Sequence, residues 1–266
     1  MNTNIAVNCQ NTGTTKLVPR GTSLNQVINE FGVELSNPIL GAMVNNEVRE
    51  LSFELFHPVT VYFFDISHRD GMRMYTRGLS FVLYKAVHEH FPKSQLRIDH
   101  SISKGIFCKV ENIENELSRE DVTAIKKRMH EIVNDDIPFI RMEEETEEVI
   151  RKFELHGLTD KTGLMKHRGR NYSAYYKLNG HIDSFYGYMV PSTGYLKVFD
   201  LNKYYNGMLL QVPQKGDPSK VESLVVQNKL FEIFQEFSQW VNILDVPDVS
   251  DLNEACKNGK SEIFIK

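Results

Sequence analysis

The run RMYTRGLSFVLYKAVHEHFP, from Arg73 to Pro92, constrains this chain more than any other stretch. Met74, Leu79, Val82, Leu83, Ala86 and Val87 recur at helical spacing and a proline closes the run, so the pattern predicts one amphipathic helix with a buried stripe. At 41% hydrophobic residues, the 266-residue chain has enough apolar material to bury that stripe in a core. The helix start is where a hydrolytic site would set metal-binding or catalytic side chains one turn apart. This sequence has Arg77 there and, four residues on, Phe81.

Residues 1–65 read as a unit of their own. NIAVNC alternates with Ile5, Val7 and Cys9 on one side, QNTGTTKLV turns at Gly13 and returns as a second strand, and TSLNQVINEFG puts Leu24, Val27, Ile28 and Phe31 on one helical face. Thr22 or Ser23 can cap that helix and Gly32 can end it. A hairpin at Asn45-Asn46 and the apolar strand HPVTVYFFDI complete a β-grasp order of elements.

Residues 66–215 mix helix and strand, so the fold class is α+β. Two strands are expected around Lys104-Gly105. A helix follows from Ser118 with Asp121 closing a capping box, Leu117 and Val122 as a staple, and Val122, Ile125, Met129, Ile132 and Val133 as its stripe. PFIRM reads as a strand, EEETEEVIRKFELHG as a helix stopped by Gly157, and KTGLMKHRGR as a basic loop. The acid run Glu143–Glu148 reads as a helix start rather than a metal site. The tyrosines at 175, 176, 186, 188, 195, 204 and 205 read mainly as sheet packing. Residues 216–266 form a helical connector, with a helix of six or seven turns from about Lys220 to Val241 that carries Val221, Leu224, Val225, Phe231, Phe234 and Val241; the chain stops in apolar IFIK.

The net charge of −4 argues against a generic polyanion binder. Three scattered cysteines, Cys9, Cys108 and Cys256, make neither a disulfide framework nor a zinc knuckle. With no signal-like start and no run of 18 apolar residues, the expectation is a cytoplasmic protein with no membrane partner.

Residues 1–65 resemble the TGS domain of threonyl-tRNA synthetases and some GTPases, through GTSLNQVI, VNNEVREL and PVTVYFFD. That resemblance implies a regulatory or RNA-facing module without catalytic residues. Residues 68–200 resemble the second additional domain of threonyl- and alanyl-tRNA synthetases, through LSFVLYKAVHEHFPKSQLRIDHSISKGIFCKV, IPFIRMEEETEEVIRKFELHG and LNGHIDSFYG. In that family the domain edits mischarged tRNA with a histidine pair one turn apart on a helix, a later cysteine and a later histidine. Here the pair falls on Arg77 and Phe81, the cysteine on Lys177 or Leu178, and only His181 remains. Arginine stays protonated and phenylalanine offers no lone pair, so neither catalytic nor metal-ligating residues are expected.

What remains suits binding. Arg77 and Lys177 would favour a phosphate or carboxylate, and Lys166, His167, Arg168 and Arg170 could meet nucleic-acid phosphates. The candidate ligand-binding set is Arg73, Arg77, Lys104, Lys166, His167, Arg168, Lys177 and His181. His181 is either a ligand contact or, the simpler reading, a satisfied structural histidine.

The segments HSISKGIFCKV, FYGYMVPSTGYLKVFDLNKYYNGMLLQVP and KLFEIFQEFSQWVNIL together resemble the N-terminal half of a bacterial uridine (nucleoside) kinase fusion protein. No G-x-x-x-x-G-K-[ST] string occurs, so no cofactor is expected in this chain, and ATP and magnesium are implied only for a kinase domain beyond it. The leading expectation is a non-catalytic regulatory region that packs on that kinase in cis and binds a nucleotide or RNA-like ligand. The alternatives are a trans-editing aminoacyl-tRNA hydrolase and a scaffold that forms a homodimer through the apolar C-terminal helix.

Overall fold

The computed structural model describes residues 4–244, 246 and 249–259, so the expected apolar end at Lys266 lies outside the described residues. Strands β1 (Asn4–Cys9) and β2 (Thr14–Pro19) form the first hairpin, and the short β3 (Thr22–Ser23) leads into α1 (Leu24–Phe31). Ser23 caps α1: its hydroxyl accepts the Gln26 N–H at 3.3 Å, and its own N–H donates to Gln26 Oε1 at 2.8 Å. Gly32 ends the helix in the left-handed region, at φ 61°. Strands β4 (Gly41–Val44) and β5 (Glu47–Arg49) turn at Asn45 and Asn46, both with positive φ as a two-residue hairpin requires. Strand β6 (Glu54–Leu55) pairs with β3, and β7 (Val59–Phe64) enters the main sheet. The order is β2-β1-β7-β4-β5, with β1 and β7 parallel at its centre. The alternation of β1 buries Ile5, Val7 and Cys9 beside Leu24, Val27, Ala42, Val61 and Phe63.

Helix α2 (Arg69–His90) starts one turn before the expected Arg73. The polar SHRDG stretch hides that turn from a hydrophobic pattern, but His68 Nδ1 accepts the Asp70 N–H at 3.2 Å and opens the helix there. All six residues of the expected stripe are buried, and so is Phe81. Strands β8 (Gln95–Ile102) and β9 (Gly105–Glu111) turn at Ser103-Lys104, one residue earlier than expected, since those two hold the positive φ values. Helix α3 (Arg119–Asn134) has the expected Ser118–Asp121 box and the expected buried stripe.

Strand β10 (Ile140–Glu145) runs on through Glu143–Glu145, so the acid run straddles a strand and the first turn of α4 (Thr146–Leu155). Pairing with Ala174, Ser173 and Tyr172 overrides the local helix preference of the glutamates. The expected basic loop is a helix, α5 (Thr159–Arg168). A Cβ at its Gly163 would sit 2.1 Å from Ser250 Oγ, so tertiary packing selects the glycine. Strands β11 (Tyr172–Leu178) and β12 (His181–Asp183) turn at Asn179-Gly180 and join β10 in a three-stranded sheet.

A single 3₁₀ turn spans Thr193–Tyr195, and β13 (Asp200–Tyr204) and β14 (Gly207–Gln211) pair in a hairpin. They extend the sheet β13-β14-β9-β8. Helix α6 (Asn228–Ile243) begins well after Lys220. Gln211 Nε2 donates to Glu222 O at 2.7 Å and the Gln214 N–H to Lys220 O at 2.8 Å, so Val221, expected on the helix, stays in an extended return, and Leu224 and Val225 also precede the helix. Helix α7 (Val249–Lys257) follows. The architecture is α+β and packs as two compact units. One is built from the chain up to Ser101, Gly105–Phe139 and Tyr186–Ser223; the other from Ile102–Lys104, Ile140–Phe185 and the chain from Leu224 on.

Candidate functional site

Arg77 and Phe81 stand one turn apart on α2, as the spacing demands. Arg77 Nη1 donates to Tyr188 O at 3.1 Å. Gly187 lies under the guanidinium at φ 115°, and a Cβ there would approach Arg77 Cζ to 2.8 Å. Arg49 Nη1 reaches the Tyr188 hydroxyl at 3.3 Å from the other side. Arg77 is therefore the clamp of the 187–188 loop. Phe81 is wholly buried, its ring 6.0 Å from Phe139 and 6.1 Å from Tyr84. Leu196 and Val190 pack against Gly78 between them. A protonated guanidinium held on a carbonyl and a phenyl ring in the core can neither accept a proton nor ligate a metal.

The other candidates are distributed over both units. Arg73 pairs with Asp70 at 3.0 Å on the exposed first turns of α2. Lys104 is exposed at the β8–β9 turn. On the last turn of α5, Lys166 pairs with Glu154 at 3.0 Å, His167 Nε2 lies 3.5 Å from Glu254, and Arg168 is exposed. Lys177 lies over the Tyr175 ring at 5.8 Å. His181 pairs with Leu178 across the β11–β12 hairpin while Lys177 pairs with Ile182, so the two candidates point to opposite faces. His181 Nδ1 lies 3.5 Å from its neighbour Asn179 O. Arg77 belongs to the first unit, Lys177 and His181 to the second.

Two polar groupings have no pattern in the sequence. Glu144 meets Lys152, and the Tyr175 hydroxyl donates to it at 2.7 Å; these two partners hold its carboxyl below the usual range. Asp183, nearly buried, pairs with Lys161 and accepts the Ser184 N–H at 2.6 Å.

The first unit also contains a cavity of about 500 Å³. Tyr75 forms one wall; its hydroxyl donates to Val198 O at 3.1 Å and accepts the Val198 N–H at 2.8 Å, and burial pushes its pKa up to about 12. Asp136 accepts the Gly194 N–H at 3.1 Å and bonds to Ser192, with its backbone in the left-handed region at φ 48°. Asn37, Tyr195 and Lys197 also line the cavity, and Lys197 forms no ion pair among the described residues. None of the eight expected residues lines it. The signal that could have marked Asp136 is local: Asp-Asp before Ile-Pro is turn chemistry that tolerates positive φ.

No protein-family model matches the chain. The threonine–tRNA ligase of Laribacter hongkongensis is 30% identical over 193 residues, covering 72% of this chain and 30% of the ligase. That of Ehrlichia chaffeensis is 29% identical over 185 residues, 69% of this chain and 29% of the ligase. That of Carboxydothermus hydrogenoformans is 27% identical over 184 residues, with 69% and 29% covered. This chain carries a threonine–tRNA-ligase-like region. It spans less than a third of the length of the curated relatives it matches. By pointing to a synthetase-related domain, the likeness favours the expected alternative of a trans-editing aminoacyl-tRNA hydrolase over the leading expectation; these matches give a uridine-kinase parent no support. Among the described residues no helix is long and apolar enough to cross a membrane.

Proposed function

We propose that this chain is a synthetase-derived binding module that takes a nucleotide or the end of an RNA and does not hydrolyse aminoacyl esters. The observation that carries the reading is the pair Arg77 and Phe81: one is spent on a loop carbonyl, the other is core, at the two positions where the resemblance puts histidines. The cavity beside Tyr75 supports the binding half. Its size suits a nucleotide, Tyr195 offers a ring for a base and Lys197 an ammonium for a phosphate. The order β2-β1-β7-β4-β5 with a parallel central pair supports a TGS-like β-grasp at 1–65; the editing-type domain at 66–215 and the connector at 216–266 rest on the resemblance alone. Three free thiols suit a reducing compartment.

The test pairs two assays on the same protein. Charged tRNA incubated with it should release amino acid no faster than buffer does, while AMP or uncharged tRNA should raise the melting temperature. Lys197→Ala should abolish the latter shift. Amino-acid release that disappears in His181→Ala would establish the editing hydrolase instead, and absence of any ligand shift would overturn the binding half.

A further inference from the structure

Helix α6 buries Phe231, 6% exposed, and leaves most of its other apolar surface in solvent. Leu230, Ile233, Phe237 and Trp240 are 38, 59, 64 and 67% exposed. Their spacing is three, four, three, the register of a helix-pair seam. Together with Val226, 59% exposed, they offer on the order of 500–600 Å² of apolar side-chain surface, against about 800 Å² per partner in a standard interface. A soluble chain seldom leaves so continuous a patch uncovered.

The charges beside the seam say what covers it. Lys229 and Glu236 each precede a seam residue, Leu230 and Phe237, and so occupy the same edge two turns apart. Both are exposed, and neither has an ion pair among the described residues. A second α6 laid antiparallel, with Leu230 of one copy against Ile233 of the other, sets Lys229 opposite Glu236, and the two-fold axis repeats the pair. Phe237 and Trp240 then reach past the start of the partner's α6, toward its Val226, Leu224 and Val225, which precede that helix and are 59, 41 and 47% exposed. A parallel pairing would put Lys229 beside Phe234 and leave both charges unmatched.

We propose that α6 is a homodimerisation helix, pairing antiparallel with α6 of a second copy through Leu230 and Ile233, with Phe237 and Trp240 packing on the apolar segment that precedes the partner's helix, flanked by two Lys229–Glu236 ion pairs. Size-exclusion chromatography with light scattering on the full chain should give twice the 30.7 kDa of one chain. Trp240 is the single tryptophan, so its emission should shift to the red on dilution as the dimer parts. Phe237→Glu, at an exposed position, should yield a monomer with unchanged circular dichroism. Lys229→Glu or Glu236→Lys alone creates like-charge pairs and should weaken the dimer about tenfold. The double exchange should recover the native dissociation constant to within about threefold. A monomeric native chain, or a dimer indifferent to Phe237→Glu, overturns the proposal; a double exchange as weak as the singles overturns the antiparallel register.

Discussion

Phe81→His restores one of the two side chains that the synthetase resemblance puts on α2, and the structure sets its cost. The phenyl ring is wholly buried between Phe139 and Tyr84. Truncating such a ring to alanine costs about 3–5 kcal/mol, and an imidazole retains about half of that contact, leaving a loss of about 2 kcal/mol. Burying an imidazole N–H with no partner adds about 1–3 kcal/mol. The sum, about 3–5 kcal/mol, corresponds to a drop of about 6–20 °C in melting temperature for a chain of this size. The pH dependence follows from the same burial. The introduced imidazole stays neutral in the fold, while the unfolded chain takes up a proton below about pH 6.5. The unfolded state then binds more protons, so stability falls as pH falls, by a further ~1.4 kcal/mol at about pH 5.5. Differential scanning fluorimetry of both proteins at neutral and acid pH, with and without zinc, measures all of this. A loss under about 1 kcal/mol, or a gain in melting temperature on adding zinc, would mean that position 81 opens on a polar site and the reasoning is wrong.

Tyr75→Phe removes two hydrogen bonds to Val198 and should cost about 1–3 kcal/mol by thermal denaturation, leaving that N–H and carbonyl unsatisfied. Gly187→Ala forces a Cβ onto the Arg77 guanidinium at a φ of 115° and should cost about 1–3 kcal/mol; combined with Arg77→Ala the steric part should vanish, a coupling readable in a double-mutant cycle. Burial alone would raise the pKa of Asp65, but hydrogen bonds from Asn37 and Ser67 outweigh it and hold the carboxyl below 3.8. Its folded value is depressed, so its stabilisation is present above pH 3.8 and lost as pH falls through the folded value; Asp65→Asn should flatten that part of the acid denaturation curve. Cys9 and Cys108 are buried, and burial pushes the Cys108 thiol up to about 12, so Ellman's reagent should titrate Cys256 alone in the native protein and all three cysteines after denaturation.

Several elements of the first 65 residues were legible because their signals are local. The alternation of β1, the Ser23 and Gly32 caps and the Asn45-Asn46 turn each act within a few residues. Elements whose identity depends on distant partners were not. Glu143–Glu145 prefer helix on composition but pair with Tyr172–Ala174, and KTGLMKHRGR reads as a loop although most of it forms α5, whose Gly163 lies against Ser250. At the site, Arg77 and Phe81 could be read as missing chemistry from their types alone. That Arg77 clamps Tyr188 needs Gly187, more than a hundred positions away, and the cavity beside Tyr75 draws its walls from residues as far apart as Asn37 and Ser219. Charge alone marks the basic residues in the sequence, yet Arg73 and Lys166 are already paired with Asp70 and Glu154.

Strand β9 lies between β8 and β14, and Cys108 meets Met208 across a gap of 100 positions in the chain. On the ribosome that gap is a delay. At about 5–20 residues per second, some 5–20 s pass after β9 emerges before its second neighbour exists. Throughout that interval Ile106, Phe107 and Cys108 present a bare apolar edge that can recruit any passing strand. Fragments ending before Gly207 should therefore come out of cells as aggregates, and translation speed through the intervening codons should govern the yield of whole protein.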